Sequence, residues 1–228
     1  MKVNVRQLVI QTIAMSAVFA LTLFLPAGTL AWAAGWAYLV LVLGFSIALS
    51  IWLFRYNPDL LAERITGIGK PDQKSWDKTF LALTALVFFA WQVVMALDAV
   101  RFRWSQMPLS LQLIGACLLL GSFYIFYLSF RENSYLSPAV RVQTERGQTV
   151  VSTGPYRYVR HPLYSGFVLY ALGTALLLGS GYGLLGALVL IAMIAWRAVR
   201  EERVLQEELK GYDNYMSRVR YRLIPYLW

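Results

Sequence analysis

The chain has 228 residues, of which 58% are apolar and only 14% charged, well under the roughly 25% charged content of soluble domains. Its 21 Lys and Arg against 12 Asp and Glu give a formal net charge of +9. The basic residues fall in short stretches between apolar runs, so they read as topology signals and contacts for anionic lipid head groups, not as a nucleic-acid surface. A single cysteine, Cys117, and a single histidine, His161, exclude an intrachain disulfide and any multi-histidine or cysteine metal cluster.

Apolar runs at about 8–30, 32–54, 79–100 and 108–130 each approach the roughly 20 residues that a helix needs to cross the hydrocarbon. The first is too long for the apolar core of a signal peptide, and no clear A-x-A cleavage site follows it, so it is read as a first span. Between the second and third runs, Asn57-Pro58-Asp59 reads as a helix start, with a capping side chain, a proline at the first position and an acid against the dipole. Leu60, Leu61 and Ile65 then form an apolar stripe, which predicts an interfacial helix lying on the membrane.

The last apolar block, about 163–198, is too long for one crossing. Gly179-Ser180-Gly181-Tyr182-Gly183 interrupts it, and glycines permit tight reversals. Two short helices joined as a hairpin are expected, with one long tilted helix as the alternative. The expected fold class is therefore all-α: a polytopic transmembrane helical bundle of about six spans, the last two a helical hairpin, with a C-terminal helical tail. The chain reads as one integral membrane domain over 1–228, with four N-terminal spans in 1–130 and the chemistry in 131–228. The aromatic excess, eight Trp and fourteen Tyr among it, suits a protein with two membrane–water interfaces.

Nineteen of the 21 basic residues lie in the N-terminus (Lys2, Arg6), in 55–78, in 131–160 and in the tail from Arg197 onward, whereas Arg101 and Arg103 lie on the opposite side. By the positive-inside rule both termini are expected in the cytoplasm, with six crossings. A bacterial inner membrane is the expected location.

The polar mass of the last third carries any chemistry. Gly154-Pro155 marks a turn, and Tyr156, Arg157, Tyr158, Arg160, His161 and Tyr164 crowd six polar or amphipathic side chains into nine positions. Pro162 fits the first turn of a helix whose backbone donors, with Arg160 and His161, would make a site for an anionic group. A juxtamembrane basic loop with aromatic anchors is the plainer reading. Further on, Arg197 and Glu201 are four apart and share a helix face with Leu205 and Leu209, which points that face inward. A carboxylate there would accept from ribose hydroxyls or an amino group; an exposed charged helix end is the alternative. The aromatic-rich tail after Gly211 is expected to fold back over the same face.

Gly154-Pro-Tyr-Arg-Tyr-Val-Arg-His-Pro-Leu-Tyr-Ser-Gly166, Glu201-Glu202-x-x-Leu205, Tyr212-x-x-Tyr215-x-x-x-Val219 and Ile224-Pro225, taken together, resemble the isoprenylcysteine carboxyl methyltransferase family, which is related to membrane phospholipid methyltransferases. The resemblance covers about residues 141–225. It implies S-adenosylmethionine as methyl donor, held between the loop before the fifth span and the tail. Cofactor contacts carry over to Gln143, to Gln148, Thr149, Val150 and Val151, to Tyr156, to His161, Pro162, Leu163 and Tyr164, and to Glu201. The register at the acidic pair leaves Glu202 open for the same role, and a substrate-positioning arginine carries over to Arg197.

Methyl transfer from a sulfonium needs alignment and exclusion of water more than acid–base work. A carboxylate acceptor requires no base; an amine or phenol would. A bilayer location implies a lipophilic small molecule or lipid as acceptor, with membrane lipids as surroundings and no obligate protein partner. An NADPH-dependent sterol-type reductase carries a similar Arg-His-Pro-x-Tyr-x-Gly element, and a lipid-binding scaffold without catalysis is the third reading.

Overall fold

The computed structural model describes residues 3–228, which leaves Lys2 of the charge count outside the described residues. Eight α-helices and no strands occur among them: α1 Val5–Ala27, α2 Ala33–Tyr56, α3 Pro58–Thr66, α4 Ser75–Ala96, α5 Leu109–Glu132, α6 Pro162–Leu178, α7 Gly181–Glu208 and α8 Tyr212–Arg218. Five of them, α1, α2, α4, α5 and α7, are long and apolar enough to cross a membrane. The protein is an integral membrane helical bundle. At 17 residues α6 is the short member, at the low end of the length that spans.

Helix α6 lies at the centre of the bundle, with ten of its 17 residues buried. It packs most closely on α5, where Gly115 and Gly173 face each other. A Cβ on Gly115 would stand 2.3 Å from Leu177 N, and one on Gly173 would stand 2.8 Å from the Gly115 carbonyl. In lipid, where apolar burial gives helices little reason to associate, such small-residue crossings let the backbones approach and gain dispersion contacts. Around this contact Phe19, Tyr38, Phe123, Tyr170 and Leu190 close the main core.

The reversal after α6 falls at Gly179, whose φ of 80° is left-handed and suits a residue without Cβ. Ser180 then caps α7 by accepting from Gly183 N at 2.8 Å. Gly181 and Gly183 thus lie inside α7, which extends ten residues beyond 198. The hairpin tip is tied down by Asp98, buried in a π-helical turn, Leu97–Arg101, that follows α4. Asp98 Oδ2 accepts from Ser105 Oγ at 2.8 Å, from Ser180 Oγ at 2.5 Å and from Tyr182 N at 3.2 Å.

Helix α3 starts as its residues dictate, with Asn57 Oδ1 accepting from Leu60 N at 3.3 Å and Pro58 at the first position. Its apolar stripe corrects one expectation. Leu60 and Leu61 are buried against Leu53 of α2 and Phe130 of α5, with Ile65 packed beside them. The stripe therefore meets protein instead of lying on lipid.

Candidate functional site

At the end of the bundle where α3, the 133–161 loop and the tail converge, a cavity of about 280 Å³ opens, near the lower end of the range of small-molecule sites. Its floor is the start of α6, with His161, Pro162, Leu163 and Tyr164. One wall is the loop from Asn133 to Arg141, and a second is the extended segment Gln148, Thr149, Val150 and Val151 with Tyr156. The third wall comes from α7 and the tail beyond it: Arg197, Glu201, Leu205, Leu209, Tyr212 and Tyr215. Arg197, Glu201, Leu205 and Leu209 share this wall because residues four apart stack on one helical face.

Eleven of the thirteen residues singled out from sequence line this cavity; Gln143 and Glu202 do not. Gln143 is fully buried and holds the loop in shape. Its Nε2 donates to Tyr135 O at 2.7 Å, its Oε1 accepts from Arg146 Nη1 at 2.6 Å, and its backbone N donates to Gln148 Oε1 at 2.8 Å. Glu202 is 2% exposed and points away from its neighbour Glu201. Glu202 Oε1 accepts from Arg160 Nε at 2.6 Å and stands 3.2 Å from His161 Nε2. Its Oε2 accepts from Arg160 Nη2 at 3.2 Å and from Arg222 Nε at 2.8 Å.

Arg160 is committed in the same way. Its Nη1 donates to the Val219 and Arg220 carbonyls, both at 2.8 Å, so its charge holds the tail and is not free for an anion. The backbone N–H groups of Arg160 and His161 donate to Tyr221 O and Arg222 O at 2.9 Å, and Ser165 Oγ donates to Leu223 O. The tail thus does fold back onto the loop that precedes α6.

Glu201 keeps spare capacity. It is half-buried and accepts from Tyr164 Oη at 2.6 Å; a carboxylate has about four acceptor sites. The Tyr164 ring stacks on His161, with centroids 5.4 Å apart and 11° between planes. The Arg197–Glu201 ion pair that their spacing allows is not formed. Arg197 turns instead to α4 and the loop: Nη2 donates to Pro138 O at 2.7 Å and stands 3.0 Å from Asp77 Oδ1. Tyr156 lies beneath the loop, its hydroxyl 3.3 Å from Asn133 Nδ2, and its carbonyl accepts from Tyr215 Oη at 2.7 Å. Burial pushes the phenols of Tyr156, Tyr212 and Tyr215 upward, so all three are neutral at pH 7.

Sequence reasoning missed the loop wall and Arg64. The Arg64 guanidinium donates to Leu136 O at 3.1 Å and lies 4.7 Å over the Phe130 ring, adding a second cation beside Arg197. Its only signal is position: four residues after Leu60 and three after Leu61, it shares their face of α3 and lies over the same Phe130. Tyr212 and Tyr215 were visible as part of the tail motif, and their place on the wall follows from the tail folding back.

Residues 110–210 match the profile of the Phospholipid methyltransferase family, somewhat under half of the chain. Over 104 residues, 45% of this chain and 44% of that protein, it is 34% identical to a Protein-S-isoprenylcysteine O-methyltransferase of Schizosaccharomyces pombe. Over 148 residues, 58% of this chain and 35% of that protein, it is 31% identical to a Delta(14)-sterol reductase of Mus musculus. The chain thus spans less than half the length of either of these relatives. The family profile and the yeast relative bear out the family resemblance read from the motifs.

Proposed function

From a C-terminal half that is phospholipid-methyltransferase-like, we propose that the protein is an S-adenosylmethionine-dependent integral membrane methyltransferase acting on a lipophilic acceptor. The observation that carries this reading is the lining of one cavity by the family-like loop, the Glu201 turn of α7 and the tail, at the polar end of an apolar bundle. The residues fit such a donor. Glu201 has acceptor sites left for ribose hydroxyls or an ammonium group, Val150, Val151, Leu205 and Leu209 offer apolar walls for a base, and Arg64 offers a cation for a carboxylate.

When bound, S-adenosylmethionine would supply a sulfonium methyl group for in-line transfer to a lone pair of the acceptor. The protein's part is to hold both partners in line and keep water out. Glu201, fixed by Tyr164, orients the donor from the α7 side. Arg197, whose stem lies among apolar groups, stands where a lipid's polar head would arrive. For a carboxylate acceptor no proton moves. For an amine one proton must leave, and the cavity holds two groups with acceptor atoms for it, His161, held by Glu202 on one ring nitrogen, and Glu201.

By the charge split this polar end, and both termini, face the cytoplasm, where a soluble donor is available. The acceptor then enters from the membrane. A bacterial inner membrane suits this arrangement.

Titration calorimetry of the detergent-solubilised protein with S-adenosylmethionine and with NADPH tests the reading, together with transfer of labelled methyl into a lipid extract. Binding of S-adenosylmethionine and labelled lipid are expected. The mouse relative keeps a second reading alive: binding of NADPH alone establishes a reductase.

A further inference from the structure

Asp77 stands in the first turn of α4, far in sequence from the family-like region, and is fully buried. It does not line the cavity, yet it touches two things that do. Its Oδ2 accepts from Val140 N at 2.8 Å, fixing the loop wall, and from Gln73 Nε2 at 2.9 Å. Its Oδ1 stands 3.0 Å from Arg197 Nη2, an ion pair without the alignment of a hydrogen bond. On the other side the Arg197 guanidinium lies 5.6 Å over the Phe80 ring, and Phe80 stacks on Trp196. The guanidinium plane is therefore gripped by a carboxylate, a carbonyl and an aromatic face, while its buried Nε has no hydrogen-bond partner among the described residues. The clamp holds the guanidinium in the cavity wall through contacts made by residues of α4 and the loop.

We propose that Asp77 is a positioning residue for the methyl acceptor, aiming Arg197 and the Val140 wall so that the guanidinium meets the acceptor's polar head. This rests on the methyltransferase reading above and adds to it a residue outside the family-like stretch. A carboxylate in contact with Arg197 also part-neutralises it. The acceptor head is thereby oriented without being held as tightly as a lone arginine would hold an anion, which leaves binding energy for the transition state.

The test uses the full chain in detergent or vesicles, with labelled S-adenosylmethionine and total membrane lipid of the producing cells as acceptor. Four forms are compared: wild type, Asp77→Asn, Arg197→Ala and the double variant. Asp77→Asn keeps the shape and a hydrogen-bond acceptor for Val140 N but removes the charge. Its apparent KM for the lipid acceptor is expected to rise about tenfold, the scale of one misaimed charge-assisted hydrogen bond. Donor Kd by calorimetry is expected to stay within about twofold, well inside that scale. The double variant is expected to be no worse than Arg197→Ala alone, because residues acting through one another do not add. Asp77→Glu keeps the charge and is expected to lose less than Asp77→Asn, which decides the matter if the asparagine variant fails to fold. Losses that multiply in the double variant, equal defects in Asp77→Asn and Asp77→Glu, or a donor Kd that weakens as much as the acceptor KM would each make Asp77 a merely structural residue. A wild type that binds S-adenosylmethionine and labels no lipid overturns the methyltransferase reading itself, and this proposal with it.

Discussion

Two faces of α7 meet the loop and the tail within two helical turns, and they differ in how far their charges are satisfied. On one, Glu202 is surrounded by Arg160, His161 and Arg222 and has both oxygens engaged. On the other, Glu201 accepts from Tyr164 and Arg197 carries an unpartnered Nε. Adjacent glutamates in a motif thus stand in opposite surroundings. A carboxylate out of water among three basic groups is a staple, because its charge is cancelled within the fold. One at the cavity edge with acceptor sites to spare is free to take a ligand. The distinction turns on counting partners, not on which residue is more acidic or more buried.

The largest effect is expected at the staple. Glu202→Ala leaves the Arg160 guanidinium buried without its counter-charge, and breaking such a pair typically costs about 3–5 kcal/mol. The thermal transition in detergent should fall, and the tail from Val219 onward should become open to protease. Loss of donor affinity with unchanged stability would break the comparison, because Glu202 would then be acting on the ligand.

Glu201→Gln should do the reverse. Donor affinity is expected to drop by about 1.5–3 kcal/mol, the worth of a hydrogen bond to a charged group, with the transition temperature nearly unchanged. Tyr164→Phe removes the hydroxyl that fixes Glu201 but not the carboxylate, so a smaller loss of about 1 kcal/mol is expected in the same calorimetric titration. Wild-type affinity in both variants would mean that this wall does not touch the donor.

Arg197→Ala sharpens the division on the same wall. Its apparent KM for the lipid acceptor should rise and turnover fall, with donor Kd within about threefold of wild type, under 1 kcal/mol. Arg197→Lys should rescue only in part, because a point charge cannot reproduce the planar fork that Pro138 O and Asp77 hold. The same kinetic defect in Arg197→Ala and Glu201→Gln would remove the division of labour while leaving the site in place.

What was legible in the sequence is what local pattern can report. The spans follow from runs of apolar residues, and the helical hairpin from the glycines at 179–183, because a left-handed reversal needs a residue without Cβ. The inward face of α7 follows from the four-residue spacing of Arg197, Glu201, Leu205 and Leu209. The motif brought most of the cavity's lining into view. The features that were not legible depend on partners far apart in the chain. No local rule pairs Asp77 with Arg197 or Glu63 with Arg141, because topology, not periodicity, brings them together. The anion site expected at the start of α6 is occupied by the tail's own carbonyls, and Arg160 by Glu202, which only the return of residues 219–222 decides. Glu202 matches the family pattern yet faces the protein, since one residue of register turns a side chain by about 100° on a helix of 3.6 residues per turn, and Gln143 is turned inward by its bonds to Tyr135, Arg146 and Gln148 within the loop.

A third carboxylate extends the comparison to α3, with the smallest effect. Glu63 is fully buried and accepts from Arg141 Nε at 3.1 Å, from Ser137 Oγ at 2.9 Å and from Lys70. Arg141 also bridges to Asp72 and Glu145, so the connection from α3 to α4 is tied to the start of the 141–148 loop. Burial alone would raise the Glu63 carboxyl, but the bonds from Arg141, Lys70 and Ser137 outweigh it and hold it below the ordinary value of 4.5. A carboxyl lowered by folding contributes stability above its unfolded value and loses it as pH falls through its folded one. The contribution from Glu63 is therefore present at neutral pH and drains away below about pH 4.5. Glu63→Gln should lower stability at pH 7 and flatten the acid limb of the stability–pH curve, while donor Kd stays close to wild type because Glu63 does not line the cavity. Thermal unfolding in detergent between pH 7 and pH 3 reads the first and calorimetry the second. If Glu63→Gln leaves the acid limb as steep as in wild type, Glu63 is not a staple of the Glu202 kind. If it weakens the donor as much as Glu201→Gln does, the rule that satisfied carboxylates serve the fold and unsatisfied ones the ligand fails at the point where the fold and the site join.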